Sequence, residues 1–213
     1  MMPKFVTFTG LDARTDFIRA RQIADRWPVE FAVLYSRSRQ GREPRYPADS
    51  SPILWSGLRL SAHMCGEWSR QILSGVRSVN GGAGDLGYFT RIQVNTAHPD
   101  AGTIRAYAKG WGLRGIAQTR DAFPSDTQID WLFDKSGGQG VTPDTWPAHP
   151  GNGRLVGYAG GIGPENVLEV VRAINTAEPY WLDMESGVRT DDWLDLDKCQ
   201  AVCEAVFGQE STR

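Results

Sequence analysis

The segment YAGGIGPENV, residues 158–167, does most to decide the fold of this chain. It is typical of a strand ending in Gly160 and Gly161, where the absence of side chains lets a ligand approach the backbone closely. Pro164 suits the first turn of a following helix, and Glu165 suits the positive end of the helix dipole. Backbone N–H groups at such a helix start bind anions, so the segment predicts a phosphate site.

A second segment of this kind follows, LDMESGVR at residues 182–189. Its strand ends in Ser186 and Gly187, which offer further backbone donors. The alternative is that the glycines of both segments only make tight turns between strand and helix. Because the two segments close consecutive strands, we favour one phosphate-binding cradle shared between them.

Alternating strands and helices extend outward from these segments to both ends of the chain. Eight short apolar runs read as strands: Phe5–Thr9, Val29–Tyr35, Leu58–Cys65, Phe89–Thr96, Gly115–Thr119, Ile129–Asp134, Leu155–Ala159 and Tyr180–Met184. Apolar residues recur every three or four positions in the segments between them, which predicts helices over Ala13–Arg26, Glu67–Val76, Ile104–Gly110, Glu165–Ile174 and Asp197–Phe207. This order predicts βαβ units and a parallel sheet.

Two parallel architectures compete, the open doubly wound sheet and the closed (β/α)₈ barrel. The open dinucleotide-binding sheet places its glycine-rich turn after the first strand, but here that strand ends in TGLD, residues 9–12. In the barrel the phosphate site lies after strands seven and eight, which is where the glycine turns occur here. We therefore predict one α/β domain over residues 1–213, a (β/α)₈ TIM barrel. The glycine-rich loop Asn80–Gly87 precedes a strand and is expected at the opposite face.

Composition excludes several classes of function. The 213 residues carry a formal net charge of −2, which gives no reason to expect nucleic acid or an anionic membrane as a partner. No apolar stretch suits a signal peptide or a membrane span, and three cysteines do not make a disulfide framework, so we expect a cytoplasmic protein. No His, Cys or Asp spacing suggests a metal site, and no cofactor fingerprint is present. The sequence gives no indication of the oligomeric state.

A third segment, WLFDKSGGQG at residues 131–140, places a carboxyl group at a strand end. Partial burial at the mouth of a barrel makes Asp134 a candidate general acid. The alternative is that Asp134 caps the loop containing Gly137, Gly138 and Gly140 through an Asx turn.

These three segments, in this order, resemble the phosphoribosylanthranilate isomerase family. That family carries a strand-end Asp followed by G-G-x-G, then A-G-G-[LI]-x-P-E-N-V, then a strand ending D-x-x-S-G-V-E. The matching segments here are FDKSGGQG, AGGIGPENV and LDMESGVR. The resemblance implies an Amadori-type aldose-to-ketose isomerisation of a phosphorylated aminoribose in tryptophan biosynthesis.

The resemblance also implies roles for particular residues. Asp134 would be the general acid that protonates the ring oxygen, and Asp183 would contact the amine side of the substrate. An arginine of the loop after the second strand would pair with a carboxylate, and the sequence does not choose among Arg37, Arg39 and Arg45. The phosphate would bind around Gly138, Gly160, Gly161, Ser186 and Gly187.

The first strand departs from the family. The family ends it with K-[IV]-C-G-[IL], whose cysteine is the general base, whereas this chain has Thr9 at that position. A threonine hydroxyl supplies almost no alkoxide at neutral pH, and loss of a general base costs about 10²- to 10⁴-fold in rate. Cys65, at the end of the third strand, is a candidate replacement, although a small buried hydrophobe is the alternative. His63 lies deeper in that strand, so a structural role is favoured over a catalytic one.

Other strand ends leave further questions open. Asn95 stands where the family has a fourth-strand histidine, and Glu185 stands where the family has a small residue. Glu185 could serve as a base or repel a phosphate, while Asp12 fits the N-cap of the first helix. Three hypotheses therefore remain: an isomerase with a substituted base, a barrel acting on another phosphorylated sugar or nucleotide-derived ligand, and a non-catalytic binding protein.

Overall fold

The computed structural model describes residues 1–54, 56–79, 86–135, 137–151 and 153–208. Most of the predicted loop Asn80–Gly87 lies outside these residues. Eight parallel strands form a closed barrel in chain order, with β1 hydrogen-bonded to both β2 and β8. The strands are β1 Phe5–Thr9, β2 Val29–Tyr35, β3 Leu60–Met64, β4 Arg91–Val94, β5 Arg114–Thr119, β6 Asp130–Asp134, β7 Val156–Ala159 and β8 Tyr180–Met184.

The predicted fold class is thus confirmed, and the predicted strands are correct to within two residues at each end. The helices are α1 Phe17–Arg26, α2 Ser51–Leu54, α3 Glu67–Leu73, α4 Ala101–Gly110, α5 Val167–Ile174 and α6 Leu196–Phe207. They pack their apolar faces onto the outside of the barrel, where side chains such as Trp68, Ile104 and Val202 are buried. No helix follows β5 or β6 among the described residues of those two connections.

The start of the first helix corrects a prediction. Asp16, and not Asp12, is the N-cap of α1, and its carboxylate accepts hydrogen bonds from the backbone N–H groups of Ile18 and Arg19. Asp12 is fully buried and its carboxylate accepts a hydrogen bond from the backbone N–H of Leu194 at 2.7 Å. Leu194 belongs to a short antiparallel pair, β9 Arg189–Thr190 and β10 Trp193–Leu194, that follows β8.

The lower part of the barrel interior contains buried charges. Glu30 of β2 is fully buried and accepts hydrogen bonds from Arg91 of β4 at 2.6 and 3.0 Å and from Thr7 of β1 at 3.0 Å. Arg91 also lies 3.7 Å from Asp130 of β6. Its guanidinium stacks over the rings of Phe5 and Trp181. One arginine therefore contacts residues on β1, β2, β6 and β8.

We predict that Glu30→Gln lowers the free energy of unfolding by about 3–5 kcal/mol, because it leaves the buried Arg91 guanidinium without its closest charge partner. Asp25→Asn is the matched control, since Asp25 pairs with Arg21 on the exposed face of α1. This control should cost no more than about 1 kcal/mol. Urea denaturation measures both values, and equal costs for the two variants would contradict the prediction.

Candidate functional site

A cavity opens at the carboxyl ends of the strands, the face where (β/α)₈ barrels carry their sites. Its walls combine polar side chains from six strands with glycines of the loops after β6 and β7. The lining residues include Thr9, His63, Gln93, Gln118, Asp134, Gly138, Gly140, Gly160, Gly161, Asp183, Glu185 and Ser186. A second pocket adjoins this cavity beside the loop after β2, and the two share Asn95, Gln118, Gly138 and Glu185.

Asp134 occupies the position that its motif predicted. It is the last residue of β6, it is buried, and it lines the central cavity. Its Oδ1 accepts a hydrogen bond from the backbone N–H of Gly137 at 3.1 Å, and its Oδ2 accepts one from Gln118 at 3.5 Å. The carboxylate of Asp134 therefore both caps the loop after β6 and lines the cavity.

Thr9 and Asp183 meet on the other side of the cavity. The Thr9 hydroxyl donates to Oδ1 of Asp183 at 2.6 Å, and both side chains are buried. Burial raises the pKa of Asp183 from 3.8 to about 7, although the hydrogen bond from Thr9 opposes the shift. The carboxyl of Asp183 therefore changes its charge near neutral pH.

Glu185 forms an ion pair that the sequence did not indicate. Arg45, from the loop after β2, donates to Glu185 at 2.5 Å and also to Asp192. Burial raises the pKa of Glu185, while the charge of Arg45 opposes that shift. The guanidinium of Arg45 thus offsets a carboxylate at the edge of the cavity, next to the predicted phosphate cradle.

The three glycine segments pack tightly against one another. A Cβ atom on Gly161 would lie 2.8 Å from the backbone N of Thr142 and 2.9 Å from the backbone O of Gly140. A Cβ atom on Gly187 would lie 2.1 Å from the backbone O of Ile162. The loops after β6, β7 and β8 therefore approach each other backbone to backbone, which requires glycine at these positions.

The turn after β7 is held by Asn166. Its side-chain oxygen accepts a hydrogen bond from the backbone N–H of Gly163 at 2.9 Å, and its amide donates to the backbone O of Gly161 at 2.9 Å. α5 begins at Val167, so Pro164 and Glu165 lie in the turn before the helix and not in its first turn. The helix therefore begins at Val167 and not at Glu165 as predicted, because the side chain of Asn166 holds residues 161–166 in a turn.

The structure distinguishes among the three arginines that the sequence offered as partners of a substrate carboxylate. Arg37 is half-exposed and pairs with Glu67 at the start of α3, and it lines neither pocket. Arg39 and Arg45 both line the second pocket. Arg39 lies over the ring of Tyr46 and donates to its hydroxyl at 3.1 Å.

Cys65 does not join the central cavity. It lines the second pocket, where Asn95 donates to its sulfur at 3.2 Å. Burial raises the pKa of its thiol to about 11, so little thiolate exists at neutral pH. His63 lines the central cavity, but burial lowers its pKa to about 3 and keeps the ring neutral.

Arg189 is a residue whose position the sequence analysis missed. It replaces the glutamate that closes the family's D-x-x-S-G-V-E motif, and this charge reversal was the available signal. Its buried guanidinium donates to the backbone O of Gly10 and Asp192 and lies 3.5 Å from Asp12. Arg189 therefore ties the segment after β8 to the end of β1, beside Thr9.

Among the described residues, no three His, Cys, Asp or Glu side chains are grouped as a metal site requires. No helix in that part of the chain is long and apolar enough to cross a membrane.

Fold and cavity together define a (β/α)₈ barrel with a polar site at the carboxyl ends of its strands. Residues 104–205 match the model of the family described as N-(5'phosphoribosyl)anthranilate (PRA) isomerase. Over this segment, just under half of the chain, the protein is similar to the phosphoribosylanthranilate isomerase family, as its three motifs indicated. No curated protein sequence matches the chain.

Solved structures of that family share the fold. Phosphoribosylanthranilate isomerase from Thermotoga maritima superposes with a TM-score of 0.64 at 17% identity, covering 98% of this chain and 100% of its own. The enzyme from Pyrococcus furiosus gives 0.59 at 15% identity, covering 96% and 98%. A phosphoribosylanthranilate isomerase in complex with reduced 1-(o-carboxyphenylamino)-1-deoxyribulose 5-phosphate gives 0.62 at 15% identity, covering 98% and 100%.

The raised pKa of Asp183 predicts a pH-dependent stability. The folded protein holds the Asp183 proton more tightly than the unfolded chain, so stability is lost as pH rises from about 4 through 7. Asp183→Asn removes this loss, because the amide stays neutral. We expect the variant to gain on the order of 1–3 kcal/mol over wild type at pH 8 relative to pH 4, measured by urea denaturation. A pH-independent difference would contradict the prediction.

Proposed function

We propose that this protein catalyses the Amadori-type isomerisation of N-(5'-phosphoribosyl)anthranilate, a step of tryptophan biosynthesis. The observation that carries the proposal is the position of Asp134, buried at the end of β6 beside the interlocked glycine loops. These features lie in the segment, residues 104–205, that matches the family model. A related isomerase is solved with a reduced carboxyphenylamino deoxyribulose phosphate, a compound with the carbon skeleton of the proposed product.

The phosphate is proposed to bind in the cradle formed by Gly138, Gly160, Gly161, Ser186 and Gly187. Backbone N–H groups of such turns stabilise an anion without the desolvation cost of a buried cationic side chain. The carboxylate of Glu185 adjoins this cradle and would repel the phosphate. Its ion pair with Arg45 at 2.5 Å offsets that negative charge.

Asp134 is proposed as the general acid. A protonated carboxyl group there would donate to the ring oxygen of the aminoribose as the bond between that oxygen and the anomeric carbon breaks. The hydrogen bonds from Gly137 and Gln118 fix the carboxyl group at the cavity wall. Such preorganisation keeps the acid close to the reacting atom.

Arg39 is the proposed partner of the substrate carboxylate. Arg39 lines the second pocket, which joins the central cavity, and Tyr46 positions its guanidinium. Arg45 faces the same pocket but is engaged by Glu185 and Asp192. Arg37 pairs with Glu67 outside both pockets, so we assign it no substrate contact.

We predict that Asp134→Asn lowers kcat/KM by about 10²- to 10⁴-fold, because an amide cannot protonate the leaving ring oxygen. The assay follows the fluorescence loss of phosphoribosylanthranilate made in situ. Asp144→Asn is the matched control, since Asp144 is an exposed carboxylate of the same loop and should leave kcat/KM unchanged. Absence of wild-type turnover would reject the proposed function, whereas full activity of Asp134→Asn would reject Asp134 as the general acid.

A second prediction addresses the cradle. Gly161→Ala places a methyl group against the backbone of Thr142 and Gly140, so the loops must move apart. We expect KM to rise about tenfold or more, which corresponds to about 1.4 kcal/mol of lost phosphate binding. Gly151→Ala is the control, because Gly151 also has a positive φ (+78°) but open space around its Cβ position. Equal KM values for the two variants would argue against a phosphate at this cradle.

A further inference from the structure

The base of the isomerisation is the part of the reaction that the family resemblance leaves unassigned, because Thr9 stands at the cysteine position. We propose that the carboxylate of Asp183 removes the proton from C2 of the sugar, and that Thr9 is a positioning residue that orients this carboxylate. The inference rests on the proposed function and gives Asp183 a catalytic role beyond contact with the amine.

Strand register places Asp183 in the same layer of the barrel as the proposed acid. Asp134 pairs with Ala159 across β6 and β7, and Ala159 pairs with Asp183 across β7 and β8. The two carboxyl groups therefore lie in one layer of the barrel, two strand spacings apart, which separates their α carbons by roughly 9–10 Å. Both line the central cavity, so a sugar ring bound there can contact the acid on β6 and the base on β8 together.

The hydrogen bond between Thr9 and Asp183 indicates which of the two groups can act as the base. Thr9 is the donor, at 2.6 Å, so its proton is directed at Oδ1 of a carboxylate. Among the described residues, Oδ2 of Asp183 receives no hydrogen bond, which leaves that oxygen for the substrate. A carboxylate held in this way is a far better proton acceptor than a threonine hydroxyl.

The other candidate bases are less suitable. Cys65 lines the second pocket and holds its proton, with a pKa of about 11. Glu185 is engaged by Arg45 at 2.5 Å. His63 is buried, and with a pKa of about 3 it is a weak base.

The electrostatic surroundings suit a base that works near neutral pH. Burial is the main cause that raises the pKa of Asp183; Thr9 and Arg91 lower it, Glu185 and Glu30 raise it, and the net value is about 7. Asp134 and His63 face the same cavity from β6 and β3. General bases are most effective when their pKa lies close to the working pH.

The chemistry balances without another reactant. Asp134 gives a proton to the ring oxygen as the C1–O bond breaks, and the nitrogen lone pair forms a C1=N iminium. Asp183 takes the C2 proton, and the C2–H electron pair forms the C1=C2 bond of an enolamine while the iminium electrons return to nitrogen. Asp183 then gives its proton to C1 and the C2 hydroxyl proton passes to Asp134, which yields the ketose and restores both carboxyl groups. No oxidant or reductant is consumed.

The test combines turnover, binding and pH dependence for wild type, Asp183→Asn, Thr9→Val and Thr9→Ser. We expect Asp183→Asn to lose about 10²- to 10⁴-fold in kcat while calorimetry shows binding of reduced 1-(o-carboxyphenylamino)-1-deoxyribulose 5-phosphate within about tenfold of wild type. Thr9→Val should move the acid limb of the kcat/KM profile to higher pH, because the carboxylate loses a stabilising hydrogen bond. Thr9→Ser keeps the hydroxyl and should retain the wild-type profile.

The outcomes separate the two proposals. An active wild type with an equally active Asp183→Asn would overturn the assignment of the base and leave the proposed function standing. Loss of analogue binding by more than tenfold with kcat unchanged would also overturn it, because Asp183 would then serve binding alone. An unchanged acid limb in Thr9→Val would overturn the positioning role of Thr9. A wild type without turnover would overturn both proposals together.

Discussion

The guanidinium of Arg91 is the contact on which the geometry of the barrel depends. It is held by Glu30 of β2, approaches Asp130 of β6, and stacks on Phe5 of β1 and Trp181 of β8. A buried ion pair is retained only when its partners and geometry compensate for desolvation. This arginine contacts strands on both sides of the β1–β8 junction, so it links the first and last strands of the ring through the barrel interior.

The same charges act on the mouth of the barrel. Asp183 lies on the same strand as Trp181, two residues further toward the carboxyl end, and Arg91 and Glu30 influence its pKa in opposite directions. Above them, Arg189 joins Gly10 to Asp192, while Arg45 joins Glu185 to Asp192. Charge pairs thus occur both in the lower interior and at the mouth of the barrel, and those at the mouth hold Glu185 and the segment after β8 in place.

Sequence reasoning succeeded where the signal is local. Strand patterns and late glycine turns predicted the closed barrel, and the motif around Asp134 predicted a carboxyl group at the cavity. Contacts distant in sequence could not be predicted, such as Thr9 with Asp183 at a separation of 174 residues or Arg45 with Glu185 at 140. Asp12 shows the same limit, since both it and Asp16 precede the helix and only the fold directs the Asp12 carboxylate to Leu194 and Arg189.

The backbone contacts among the three glycine loops have a consequence for how the chain can diverge. Gly161 lies against the loop after β6, and Gly187 lies against the turn after β7, so a larger residue in any of these loops must be accommodated by its neighbours. The family model matches over residues 104–205, the part of the chain that contains all three. Thr9 and Asn95 lie at the ends of β1 and β4, outside these interlocked backbones, so a different side chain at either position does not push the three loops apart.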